Sequence, residues 1–222
     1  MGQAKREKLR IFLLRHGKPA FPDARSYIYG HTDYPLAALG IEQAEKIGAA
    51  LSGVSMGRIV SSDLARAAQT ADIVASFQTE GVCRPERDPA LREINMGEWD
   101  GRTKDEIEGE YVDVFRMRGE DFANTAAPGG ESFVQLQRRA LGALERIVAD
   151  CEGMDSILLV AHGGFFWSMI SGLFHIPLGD MMRFGLDYCA LHLVEYDRAT
   201  GAYKLIRYNW SPDLTDYMDY PI

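Results

Sequence analysis

The sequence predicts an α/β fold, with a mostly parallel β-sheet covered by helices on both faces and an antiparallel edge. Short apolar runs of strand length alternate with longer segments whose apolar residues recur at helical spacing. This alternation is typical of parallel sheets, because a helical crossover connects each strand to the next. The last two strand-like runs are separated only by a turn at Arg198 to Gly201, which indicates a hairpin and explains the antiparallel edge.

The first half of the chain contains two strand–helix pairs. Leu9–Leu14 is a short apolar run, typical of a buried strand. The segment Gly40–Gly53 follows as a helix, because four apolar residues fall on one helical face: Ile41, Ala44, Ile47 and Leu51. Arg58–Ser62 predicts a second strand, and the alanine-rich segment Asp63–Phe77 predicts a second helix with Asp63 as its N-cap.

The second half begins with a polar, glycine-bearing excursion and then returns to the sheet. The excursion runs from Trp99 to Gly130 and holds one expected helix, Lys104–Met117. We expect residues 1–222 to form one domain, in which about 99–130 is a cap-like excursion over the site. The later predicted elements are a helix Ser132–Cys151, a strand Ser156–Ala161, a helix Phe165–Leu173, and strands Ala190–Tyr196 and Tyr203–Asn209.

Charge and cysteine content exclude several classes of partner. The formal net charge of −8 disfavours nucleic acid and anionic membranes, because both require a cationic face. No apolar run is long enough for a membrane span, and the apolar part of the N-terminal segment is too short for a signal peptide. Cys83, Cys151 and Cys189 lie far apart and are odd in number, which predicts reduced thiols in a cytoplasmic protein.

Two predicted strands end in the same way, with a histidine before a glycine. FLLRHGK places Arg15, His16 and Gly17 after the first strand, and ILLVAHGG places His162 after a later one. Ligands of open α/β sheets bind beyond the carboxyl ends of the strands, so neighbouring strands would bring both histidines to one crevice. His16 suits a base, a metal ligand or a nucleophile, but histidine spacing disfavours a metal site. Nucleophilic attack requires a neutral imidazole aimed at an electrophile whose charge is neutralised by its neighbours. Phosphorus in a phosphate held by arginine meets this requirement, which favours the nucleophilic role of His16.

Arg66 and Glu93 are the remaining candidates for an active site. Arg66 falls in the first turn of a predicted helix at a strand end, where the helix N-terminus and the guanidinium both attract an anion. A solvated arginine on a helix face is the alternative. Glu93 has apolar neighbours that favour its protonated form, which suits a general acid. A half-buried salt bridge to Arg92 or another arginine is the alternative for Glu93.

Taken in order, the motifs resemble those of the histidine phosphatase superfamily, also called the phosphoglycerate-mutase-like fold. They span most of the chain, so the match is far more specific than any one tripeptide. The motifs are LLRHG, YGHTDYPLAALGIEQA, SSDLARAAQT, LREINMGEWDG, PGGESF and VAHGG. The resemblance implies a phosphoglycerate-mutase-like, three-layer α/β/α sandwich that needs neither a metal nor another cofactor.

The resemblance also implies a role for each matched residue. His16 would accept the phosphoryl group, and Glu93 would donate the proton. The cradle for the phosphate oxygens would consist of Arg15, Arg66 and His162. Four residues are assigned to substrate binding: Gly17, Lys18, Gly30 and, through its backbone N–H, Gly163.

Among the members of this superfamily, the chain is most similar to the short phosphatases, especially the α-ribazole phosphatase group. Where many relatives carry Ser or Thr and then Asn after the RHG motif, this chain has Pro19 and Pro22, which disfavours mutase activity. Ala37 stands where relatives often have a capping Thr. The implied function is metal-independent hydrolysis of a small phosphomonoester, such as α-ribazole phosphate or a similar nucleoside or sugar phosphate. A phosphoglycerate or sugar-phosphate mutase and a non-catalytic phosphate-binding module are the alternatives.

The sequence leaves the surroundings of the site open. Five aromatic residues lie in segments expected to rim the pocket, where they either hold a nucleoside-like base or pack loops onto the core: Phe21, Tyr27, Tyr29, Tyr34 and Trp99. Lys18 or Arg25 would add positive charge there. The tail Asn209–Ile222 either covers the site, binds a partner subunit or makes no contact with the rest of the protein. A homodimer is one possible assembly.

Overall fold

The computed structural model describes residues 7–78 and 84–212 of the 222-residue chain. Cys83 and residues 213–222 of the C-terminal tail lie outside these ranges, so the predictions made for them have no structural counterpart. No helix within the described ranges has the length and apolar character needed to cross a membrane.

The main sheet has six strands, four parallel and two antiparallel. The described residues form eight strands, numbered along the chain: β1 (Lys8–Arg15), β2 (Tyr27–Ile28), β3 (Arg58–Ser61), β4 (Glu86–Arg87), β5 (Arg102–Thr103), β6 (Ser156–Ala161), β7 (Leu191–Asp197) and β8 (Tyr203–Trp210). The order in the main sheet is β4-β3-β6-β1-β7-β8, while β2 and β5 pair separately. Strands β4, β3, β6 and β1 are mutually parallel, and β7 and β8 form the predicted antiparallel edge.

Helices cover both faces of this sheet. The described residues form seven α-helices: α1 (Ala38–Leu51), α2 (Ala65–Ser76), α3 (Lys104–Glu110), α4 (Val112–Glu120), α5 (Phe133–Ala149), α6 (Gly163–Phe174) and α7 (Leu178–Met181). Side chains alternate along β1, so Leu9, Ile11 and Leu13 join the core under α5 and α6. Phe12 and Leu14 join a second core under α1 and α2. Two cores on opposite faces of one sheet confirm the predicted three-layer α/β/α sandwich.

The predicted N-cap of the second helix is wrong. Helix α2 begins at Ala65, after Leu64, and its Ala65 N–H donates to the Asp33 carboxylate at 2.6 Å. Asp63 instead forms a two-bond ion pair with Arg92, at 2.7 and 2.5 Å. The cap comes from a residue 32 positions earlier, a distance over which capping patterns in sequence carry no information.

The excursion 99–130 holds two helices where the sequence predicts one. Helix α3 starts with a capping box between Thr103 and Glu106 and ends at Tyr111, where the backbone leaves helical angles before α4. Gly109, near the end of α3, lowers helix propensity there. The excursion is fastened to the rest of the molecule by the pairing of β2 with β5. Its expected placement over the site stays a prediction.

Candidate active site

The ends of β1 and β6 bring two histidines together. The two strands are parallel neighbours, with Arg15 in register with Ala161, and His16 and His162 follow directly. Their ring centroids lie 5.0 Å apart, and the two residues are 1% and 0% exposed. This confirms the prediction that the two strands are neighbours and shows that the two histidines lie side by side.

His16 is held as a neutral imidazole with one free nitrogen. Its Nδ1 lies 2.7 Å from the carbonyl oxygen of Gly17 and must donate, because a carbonyl can only accept. Burial, then the charges of Arg66 and Arg15, lower the pKa of His16 well below its ordinary value and outweigh the raising effect of the Gly17 hydrogen bond. The Nε2 lone pair is therefore available as a nucleophile.

Residues close to His16 carry unpartnered polar atoms. Within the described part of the chain, both ring nitrogens of His162 and the Nε atoms of Arg15 and Arg66 are buried without a hydrogen-bond partner. Burial, then Arg66, His16 and Arg15, hold the pKa of His162 well below its ordinary value. Buried polar groups are normally paired, and these four atoms belong to residues that interact with His16, so we expect a ligand to bind there. Because two of the groups are guanidinium groups, we expect this ligand to be an anion.

Arg66 is positioned by the backbone of the preceding loop. Its Nη1 and Nη2 donate to the carbonyls of Thr32 and Gly30 at 2.9 and 2.7 Å. The loop keeps this shape because Asp100 accepts the N–H groups of Gly30, His31 and Thr32 and the Thr32 hydroxyl. Burial alone would raise the pKa of Asp100, but these hydrogen bonds prevail and lower it. The YGHTDYPL motif therefore serves to hold Arg66, and Asp100 is a site residue that the sequence did not reveal.

Gly30 has no room for a side chain. A Cβ there would lie 2.0 Å from the Ile94 carbonyl oxygen, in the segment that carries Glu93. We expect Gly30→Ala to lower the free energy of unfolding by about 1–3 kcal/mol, because the backbone must shift to remove the clash. Gly53 has nothing within 4 Å of its Cβ position, so Gly53→Ala is the matched control. Urea denaturation measures both, and equal stability of the two variants would contradict the close packing.

Glu93 lies against the first turn of α6. Its carboxylate accepts the N–H of Ile94 and that of Gly164, each at 2.9 Å. The alternative of a salt bridge to Arg92 is not observed, because Arg92 pairs with Asp63. A Cβ on Gly164 would come within 2.6 Å of the Glu93 carboxylate, so the carboxylate would have to shift if this glycine were replaced. Glu93 thereby reaches the helix that begins directly after His162.

The other predicted binding residues show mainly structural contacts. Gly17 donates its N–H to the Thr70 hydroxyl at 3.1 Å, and a Cβ on it would lie 2.4 Å from the Gly40 carbonyl oxygen. Gly163 packs beside Arg15, with its Cβ position 3.4 Å from Nε. The side chain of Lys18 is exposed. Substrate contact by Gly17, Lys18, Gly30 and Gly163 stays a prediction, and Thr70 is a positioning contact that the sequence did not reveal.

Two tyrosines contact the two arginines of the site, and one of them, Tyr29, is among the five predicted aromatic residues. The Tyr188 ring lies 4.1 Å from Cζ of Arg15, and the Tyr29 ring lies 5.1 Å from Cζ of Arg66. Trp99 takes the second of its two predicted roles, because it is 1% exposed and packs in the core. Tyr188 was missed because no sequence motif marks it.

Comparison with known proteins decides the family. The model of the histidine phosphatase superfamily (branch 1) matches residues 11–210, which is nearly the whole described chain. The chain belongs to the histidine phosphatase superfamily. A curated relative from Yersinia pestis, named "probable phosphoglycerate mutase GpmB", is 33% identical over 191 residues, which cover 86% of each chain.

Solved structures of two phosphatases share the fold. The α-ribazole phosphatase of Shigella flexneri superposes with a TM-score of 0.81 at 25% identity, covering 90% of this chain and 96% of that one. A mycobacterial glucosyl-3-phosphoglycerate phosphatase gives a TM-score of 0.78 at 26% identity, covering 92% and 100%. Both likenesses agree with the predicted phosphoglycerate-mutase-like fold.

Proposed function

We propose that this histidine phosphatase superfamily member is a metal-independent phosphomonoesterase that acts through a phosphohistidine on His16. The observation that carries the proposal is the free Nε2 of a neutral His16 beside the unpartnered atoms of Arg15, Arg66 and His162. A phosphate dianion would satisfy these atoms and present phosphorus to the nucleophile.

The first step transfers the phosphoryl group to the enzyme. The Nε2 lone pair of His16 attacks phosphorus, and the bond between phosphorus and the ester oxygen breaks. Glu93 supplies the proton that the departing alcohol needs. Arg15, Arg66 and His162 stabilise the charge on the three remaining phosphoryl oxygens.

The second step returns the enzyme to its starting state. A water molecule attacks the phosphohistidine, and the bond between phosphorus and Nε2 breaks. Glu93, now ionised, takes the proton from that water, so inorganic phosphate leaves and His16 is neutral again. Both steps use side chains alone. Among the described residues, no cluster of three or more His, Cys, Asp and Glu side chains is arranged to hold a metal ion.

A small nucleoside or sugar phosphate, such as α-ribazole phosphate, is the substrate class we propose. Support comes from the α-ribazole phosphatase and the glucosyl-3-phosphoglycerate phosphatase that share the fold. A cytoplasmic location is part of the proposal, because Cys151 and Cys189 are free and buried. Mutase activity is the second candidate, favoured by the relative named as a phosphoglycerate mutase.

A substrate panel separates these functions. Purified protein is incubated with α-ribazole phosphate, nucleoside and sugar phosphates and 3-phosphoglycerate, and ³¹P NMR follows inorganic phosphate and positional isomers together. A phosphatase releases inorganic phosphate without forming isomers. Isomer formation in excess of phosphate release would establish the mutase instead. If no ester turns over and no phosphoenzyme forms, the non-catalytic phosphate-binding module becomes the better account.

A further inference from the structure

A pair of tyrosines bridges the two arginines of the site. The hydroxyls of Tyr29 and Tyr188 lie 2.9 Å apart, although the residues are 159 positions apart in sequence. Each ring lies over one arginine, and the Tyr188 ring centroid is 5.7 Å from that of His16. We call this pair the aromatic clamp. His16 and Arg66 are buried whereas both tyrosines are partly exposed, so the clamp lies between the phosphate cradle and solvent.

The clamp continues into a wall of further aromatic rings. Phe21 contacts Tyr29 edge-on at 5.0 Å and Tyr34 at 5.5 Å, and it stacks with Tyr27 at 6.4 Å between centroids. All four side chains are partly exposed rather than buried in the core. Because Tyr29 lies over Arg66 and contacts Phe21, we expect the organic part of an ester bound in the cradle to meet these rings. Ring faces of this kind bind flat apolar groups by stacking.

Three arginines near the wall are already paired with carboxylates. Arg25, Arg92 and Arg102 belong to the neighbouring segments, and each already pairs with a carboxylate. A substrate carboxylate that reached one of these arginines would have to compete with its ion pair, which leaves the exposed Lys18 as the predicted contact for such a group. The rings of the wall themselves are suited to a flat apolar group.

We propose that the aromatic clamp and Phe21 select phosphomonoesters whose alcohol carries a flat ring system, as a nucleoside 5′-phosphate does. The selection acts on the organic part of the ester, while Arg15, Arg66 and both histidines bind the phosphate. This inference rests on the proposed function and adds to it the residues that decide specificity.

AMP and ribose 5-phosphate form a matched pair of probes, because they share the 5′-alcohol and differ in the base. We expect kcat/KM for AMP to exceed that for ribose 5-phosphate by about tenfold or more. Phe21→Leu should reduce this ratio to about threefold or less, mainly by lowering kcat/KM for AMP, because leucine offers no ring face on which the base can stack. Phe174→Leu, at the far end of α6, is the control and should leave the ratio unchanged.

Binding to the His16→Ala protein separates this inference from the proposed function. Calorimetry with AMP and ribose 5-phosphate needs no turnover, so about tenfold tighter binding of AMP supports the clamp even if no ester is hydrolysed. Absence of turnover with every ester would then overturn only the proposed function. Equal affinities and equal kcat/KM values for the two probes would overturn the clamp, as would faster hydrolysis of 3-phosphoglycerate than of AMP.

Discussion

Replacing His16 with alanine is expected to lower kcat by about 10⁴-fold or more and to abolish the phosphoenzyme. The expectation follows from the geometry of the imidazole. Nδ1 is tied to the Gly17 carbonyl at 2.7 Å, and Nε2 is the free nitrogen beside the unpartnered atoms of Arg15 and His162. Without that nitrogen, water must attack the ester directly, and the cradle alone supplies the remaining rate enhancement.

Rapid quench with a ³²P-labelled ester measures both quantities in one experiment. Phosphohistidine is labile in acid and stable in base, so the quench conditions identify the bond. His175→Asn is the matched control, because His175 is exposed at the end of α6 in a left-handed conformation that asparagine tolerates. A His16→Ala protein that retains wild-type turnover would rule out the nucleophile assignment.

Replacing Glu93 with glutamine is expected to slow phosphoenzyme formation from alkyl phosphates by about 10²–10⁴-fold, with little change in substrate binding. Glutamine keeps the size of the side chain but cannot deliver the proton. The effect should be much smaller for p-nitrophenyl phosphate, because nitrophenolate leaves without protonation. The amide also loses one of the two N–H bonds from Ile94 and Gly164, so a modest loss of stability accompanies the substitution.

Single-turnover kinetics with the two ester types test this role. Glu108→Gln is the control, because Glu108 lies on the exposed face of α3 in a surface pair with Lys104. A uniform slowing of alkyl and nitrophenyl esters would mean that Glu93 acts through structure or binding and not through proton donation.

The convergence of the site could be predicted because it depends on strand topology. Apolar runs that end in His16 and His162 mark the carboxyl ends of two strands, and a parallel sheet places such ends along one edge. Arg66 could be predicted for a related reason, since it follows the end of β3 in the first turn of α2. The bounds of β6 also agree with the prediction, because a fully buried strand is an uninterrupted apolar run.

The residues that hold the site in shape could not be predicted, because their partners are far away in sequence. Asp100 fixes a loop about 70 residues earlier, and Thr70 accepts a hydrogen bond from Gly17, 53 positions away. Tyr188 meets Tyr29 across an even longer separation. For Asp63 the local pattern was misleading. It predicted a helix cap, but the side chain forms an ion pair with Arg92 instead. Local propensity carries no information about such tertiary contacts.

A crystal structure with orthovanadate bound is the most direct test of the central claim, that one oxyanion is held by two imidazoles and two guanidinium groups. Vanadate copies the geometry of phosphorus during transfer. We expect vanadium to be bonded to Nε2 of His16, with Arg15, Arg66 and His162 on its oxygens and Glu93 beside the apical oxygen opposite His16. Vanadate bound away from His16, or with these side chains turned from it, would contradict the account.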